Sequence, residues 1–199
     1  SAPPGLFGAR PGHVVPSRMV TVGMYLFLAA LFMLFAAAML GYILVRTAAS
    51  EKVALGTLHF PAALWISTVL VVTASFTIHR SLQLLHRERQ AGFRNWLGVT
   101  LLLAIAFVIV QAPSMAVLLS SQASLKGQHL ALYSLIFVLV LVHAMHVIGG
   151  IAALSWTSRQ ARRHVYDHEH YVPIRNVALY WHFLDAVWLV MFFTFLVLG

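Results

Sequence analysis

Cysteine is absent from the 199 residues. Without a thiolate the chain cannot build a disulfide, a zinc–thiolate site, an iron–sulfur cluster, a covalent c-type haem linkage or a thiolate-ligated copper centre. Charge is almost as scarce. Asp, Glu, Lys and Arg supply 9% of the chain, against about 25% in a soluble domain, too little to cover a water-facing surface. Acids are the scarcest of all, at 5 against 13 Lys and Arg, which leaves a formal net charge of +8. The resulting pI of about 10.6 lies in the range of nucleic-acid binders. Such a protein needs its basic residues on one exposed face of a polar domain. Here they sit in short connectors between apolar runs, so no nucleic acid is expected as a partner. The Pro- and Gly-rich stretch from Ser1 to Arg18 lacks an apolar core followed by a small-residue cleavage site. It is therefore expected to be no cleavable signal, and residues 1–19 are read as a disordered cytoplasmic tail.

What the chain does have is apolar length. Hydrophobic residues make up 61% of it, with a mean hydropathy of +0.87. Five stretches reach the roughly 20 residues that a helix needs to cross a hydrocarbon core. They run from about 20 to 45, 60 to 78, 96 to 119, 130 to 156 and 177 to 198. Backbone groups in lipid must be bonded within the segment or within a closed barrel, and a barrel would show alternating strands of about ten residues. The expected fold is all-α, an integral membrane bundle of five transmembrane helices over residues 20–199. Pro113 is the one proline inside a span, where it should bend the helix and free a carbonyl.

Charge sets the expected topology. Arg10, Arg18, Arg80, Arg87, Arg89, Arg94, Arg159, Arg162, Arg163 and Arg175 fall on one side of such a bundle, and only Arg46, Lys52 and Lys126 on the other. The basic side stays cytoplasmic, so the N-terminus is expected inside and the C-terminus outside.

Polar groups inside a bilayer are expensive and each asks for an explanation. The fourth span carries His143-Ala-Met-His146-Val-Ile-Gly-Gly150, whose spacing of three sets both imidazoles on one face. They read either as metal, haem or proton-relay groups or as neutral histidines bonded to a neighbouring helix. A di-metal carboxylate bundle would need Glu-x-x-His motifs, and none is present. The fifth span opens Tyr180-Trp181-His182-Phe183-Leu184-Asp185-Ala186-Val187-Trp188. Asp185 is the one carboxylate placed in a span, near its cytoplasmic mouth, and His182 lies one turn before it, within reach of direct pairing. The pair reads as an interhelical polar clamp with His143 or His146, or as a proton-transfer step. The run from His164 to His170 has metal-like residues but reads as a solvated connector.

Together, His143, His146, Val147 and Gly150 in one span and Tyr180, Trp181, His182, Phe183, Asp185, Val187 and Trp188 in the last resemble subunit III of the haem-copper oxidases. Gly23-Met-Tyr-Leu-Phe-Leu in the first span and Gln111-Ala in the third extend the resemblance to nearly the whole chain. Its length is similar to the five-helix bacterial form of cytochrome c oxidase subunit III. The chain departs from the family's pattern at two acids. Ala30-Leu31 stands where the first span usually reads Ser-Glu, and Pro113, Ser114 and Met115 follow Gln111-Ala where an acid is often found.

The resemblance implies a non-catalytic accessory subunit of an aerobic terminal oxidase in a bacterial plasma membrane. Haems and copper would reside in partner subunits, with none bound by this chain. Subunit I and subunit II would be its partners, within a possible larger respiratory supercomplex, and phospholipid would be held between helices with Arg46, Arg80 and Arg175 as headgroup contacts. The family supports proton uptake, and the missing first-span acid puts that role in doubt here. Two other expectations stand beside it: an accessory subunit of a quinol oxidase or nitric oxide reductase, and a membrane anchor binding haem b through His143, His146 or His182.

Overall fold

The computed structural model describes residues 17–48, 62–87, 89–122, 128–162 and 172–198. They form five helices and no strand: α1 (Ser17–Ala48), α2 (Ala62–His86), α3 (Gln90–Gln122), α4 (Gln128–Arg162) and α5 (Val172–Leu198). Each contains a segment long and apolar enough to cross a membrane. The expected five-helix bundle is therefore observed. The N-terminal tail, Lys52, Lys126, Arg163 and the run from His164 to His170 lie outside the described residues.

The helices outrun the apolar stretches that announced them. The shortest, α2, has 25 residues, about 38 Å at 1.5 Å per residue, against a hydrocarbon core of about 30 Å. Its last turns are Ser81-Leu-Gln-Leu-Leu-His86. Leu and Gln favour helix, so the backbone continues after the apolar run has ended. For the same reason α5 begins at Val172, with Pro173 in its first turn, where the missing N–H costs nothing.

That earlier start moves Asp185. It is the fourteenth of the 27 residues of α5, at the middle of the helix and not near its mouth. Ser75 of α2 and His143 of α4 are also near the midpoints of their helices.

In the packing, α5 touches α1, α2 and α4, while α3 bridges α2 and α4 and α1 leans on α4 and α5. Two apolar clusters fill the interior. One joins Leu28, Leu31, Ile78, Phe93, Leu97, Leu154, Trp181 and Leu184. The other joins Phe35, Met39, Tyr42, Leu132, Ile136, Leu139 and Met191. The outer faces are apolar as well, with Met33, Val69, Leu102, Ile109, Met145 and Val197 all exposed. That is the surface a lipid solvent requires, since apolar side chains there lose nothing by exposure. Arg46 Nε donates to the Leu198 carbonyl at 2.6 Å, which ties the C-terminal ends of α1 and α5 together. With neighbours running in opposite directions, Arg18, Arg80, Arg87, Arg89, Arg94, Arg159, Arg162 and Arg175 gather at one end of the bundle.

α3 runs through Pro113 without a break. The proline has no N–H to offer the Ile109 carbonyl four residues back. Gln111, beside it, is buried with its Oε1 unpartnered.

Candidate functional site

The chemistry-bearing residues collect on α5 and on the helices around it. Gly150 makes this possible. A Cβ at that position would stand 3.2 Å from rings of both Trp181 and Tyr180 and 3.3 Å from Leu184. A glycine lets α4 and α5 approach this closely without crowding, the role small residues play at membrane helix contacts. The Tyr180 hydroxyl uses the gap to donate to the His146 carbonyl at 2.9 Å.

His182 bonds to a residue of another helix. The Ser75 hydroxyl of α2 lies 2.6 Å from His182 Nδ1. His182 Nδ1 thus bonds α2 in place of the direct pairing with Asp185 that their spacing suggests. Asp185 is buried, and its Oδ2 has no partner. On the other side of His182, the exposed His79 ring stands 6.5 Å away, centroid to centroid. His79 Nε2 in turn lies 3.1 Å from Gln83 Nε2, and Gln83 Oε1 accepts from Arg80 at 3.2 Å. About two turns toward the other end of the same interface, Trp188 Nε1 donates to the Thr68 hydroxyl at 3.2 Å. α2 and α5 are therefore fastened at two levels.

The α4 histidines go elsewhere. His143 is 2% exposed and stacks on Trp188 at 5.6 Å, with the Phe35 ring edge-on at 6.0 Å. Its Nδ1 is unpartnered. His146 Nδ1 donates to the Val142 carbonyl of its own helix at 2.7 Å and meets Phe35 at 5.6 Å. So the four residues do not converge on one clamp: His182 and Asp185 face α2, whereas His143 packs against aromatic rings. Among the described residues, no three His, Asp or Glu side chains form a metal-ligating group. Tyr180, Trp181 and Trp188 are buried packing residues, and Phe183 and Val187 are half-buried beside them. Leu31 is buried in the larger apolar cluster, its neighbours matching an apolar side chain.

A family profile described as cytochrome c oxidase subunit III matches residues 11–199. The chain belongs to that family. Within the family, it is 27% identical over 189 residues to cytochrome c oxidase subunit 3 of Synechocystis sp., covering 93% of this chain and 78% of that one. It is 29% identical over 185 residues to cytochrome c oxidase subunit 3 of Corynebacterium diphtheriae, covering 89% and 87%. It is also 27% identical over 175 residues to quinol oxidase subunit 3 of Bacillus subtilis, covering 88% and 85%.

Ser75, Thr68 and the Thr77–Thr100 pair, whose hydroxyls meet at 2.9 Å between α2 and α3, went unmarked in the sequence. Hydroxyls in apolar helices commonly bond their own backbone, as Thr73 does to Val69 and Thr194 to Val190. No local pattern separates those from the hydroxyls that cross between helices.

Proposed function

We propose that this chain is the non-catalytic third subunit of an aerobic haem-copper terminal oxidase in a bacterial plasma membrane. It packs on the catalytic subunit I beside subunit II, whose cofactors carry the electron chemistry. The observation that carries this reading is family membership across residues 11–199. The tight α4–α5 contact at Gly150 and the two-level α2–α5 fastening make a preorganised scaffold surface. The Arg-rich end is read as cytoplasmic by the positive-inside rule. Arg80 and Arg175 at that end, and Arg46 at the other, suit lipid phosphates. His143, His146, His182 and Asp185 serve this scaffold as packing and clamp residues.

The Bacillus subtilis relative is named a quinol oxidase subunit, which favours, as a second reading, the same scaffold role in an enzyme that oxidises quinol. Oxygen-uptake assays on the purified complex with cytochrome c or quinol as donor separate the two. The scaffold role itself is tested by comparing native complex with complex stripped of lipid and of this subunit. The working lifetime should fall more than the initial rate. Equal loss of both would count against a lipid-holding accessory subunit.

A further inference from the structure

His146 leaves one polar atom unused. Its Nδ1 gives its proton to the Val142 carbonyl of the same helix at 2.7 Å. In the neutral ring Nε2 is then a bare acceptor, with a lone pair and no hydrogen. Among the described residues nothing donates to it. The Tyr180 hydroxyl reaches this turn of α4, but its proton goes to the His146 carbonyl at 2.9 Å. On the α1 side the ring meets Phe35 edge-on at 5.6 Å, and Leu31, one turn before Phe35, is apolar too.

The residue is not hidden in the core. His146 is half-buried, whereas His143, three residues earlier, is 2% exposed. Its outward neighbours are open. Met145 is 64% exposed, and Gly149, one turn on, is exposed as well. A Cβ at Gly149 would meet only the Tyr180 hydroxyl, at 3.9 Å. Glycine is a poor helix former, and no contact within the chain requires it here. What Gly149 provides is a place where another backbone can come close.

Depth decides what can supply the missing donor. The apolar segment of α4 runs over Ser134–Ala161, and His146 is the thirteenth of its 28 residues. About 18 Å of helix separates it from the nearer end. Lipid phosphate and glycerol groups stay at the two ends of such a segment, and hydrocarbon tails have no hydrogen to donate. A polar atom exposed to those tails is costly. At this level the donor comes from a protein helix, and a backbone packed on Gly149 brings one within reach. A second copy of this chain across a twofold axis sets acceptor against acceptor.

We propose that the His146–Gly149 face of α4 is where a transmembrane helix of a neighbouring subunit docks, presenting a hydroxyl, amide or indole N–H donor to His146 Nε2. The assignment rests on the reading of this chain as a subunit of a membrane complex. It adds which face meets the neighbour, and by what contact.

The assembled complex, captured through this chain, tests it. With the photoreactive p-benzoylphenylalanine in place of Met145, illumination should join the chain to a transmembrane segment of another subunit, identified by mass spectrometry. His146→Leu should speed loss of the chain from the complex in detergent by roughly three- to fifteenfold, the range of one hydrogen bond between membrane helices. His146→Gln, which keeps an acceptor oxygen, should restore retention. The unfolding midpoint of the isolated chain should not fall in His146→Leu, because no internal donor is lost. A Met145 probe that joins only lipid, or only a second copy of this chain, would overturn the proposal. So would unchanged retention in His146→Leu, or a glutamine variant lost as fast as the leucine one. A chain recovered with no other subunit would contradict the reading beneath it as well, so the two failures are told apart.

Discussion

Gly149 and Gly150 are adjacent glycines with different work. A Cβ at Gly149 meets nothing closer than the Tyr180 hydroxyl at 3.9 Å, whereas one at Gly150 meets three side chains at 3.2 to 3.3 Å. Overpacking of that kind costs about 1–3 kcal/mol, offset by up to about 1 kcal/mol of better helix propensity. Gly150→Ala should therefore lower the unfolding midpoint in detergent, and Gly149→Ala should leave it unchanged or raise it slightly. Equal behaviour of the two variants would remove Gly150 as the reason α4 and α5 lie so close. Asp185 poses the opposite question, since a carboxyl at mid-helix is costly to bury. Asp185→Asn keeps the side chain's shape and one acceptor oxygen, so assembly should weaken only modestly while the haem absorption of the assembled oxidase stays as it was. Altered haem bands in an intact complex would place Asp185 in contact with the redox chemistry of a partner.

At the scale of helices, the α2–α5 contact rests on two polar attachments, one through Ser75 and one from Trp188 to Thr68. Hydrogen bonds between membrane helices average about 0.6 kcal/mol and reach about 1.7 kcal/mol. Trp188→Phe keeps the ring near Phe107 and His143 but removes the donor, so it should cost an amount in that range. A double-mutant cycle with Thr68→Val measures the coupling, and additive losses would mean the bond is not made. The number and order of the helices were legible because five apolar runs separated by Arg-rich connectors admit little else. Their ends were not, because Gln, Leu and His carry a helix past the lipid core. For that reason the apolar run alone sets Asp185 near the mouth of a span, whereas it stands at the midpoint of α5. The motif spacing brought out His182 and Asp185, but it could not reveal Ser75. That residue is remote in sequence and looks like any other hydroxyl in an apolar helix.

For the whole molecule, eight arginines at one end against Arg46 at the other, among the described residues, predict orientation. A single cysteine engineered at Arg18 should be shielded from an impermeant thiol reagent in intact cells, and one at Gly199 should react; the chain's lack of native cysteine makes the background clean. The reverse labelling would invert the topology. The apolar outer faces and buried polar fastenings describe a rigid body made to be packed against, and the family to which the chain belongs supplies the proposed neighbour. The most direct measurement is to capture this chain, tagged at its N-terminus, from native membranes in a mild detergent and record what comes with it. The account predicts a complex whose other subunits bring haem absorption and copper, with oxygen uptake on addition of reduced donor. A chain recovered alone, or with a haem spectrum that belongs to it and disappears on substituting His143, His146 and His182, would contradict the account.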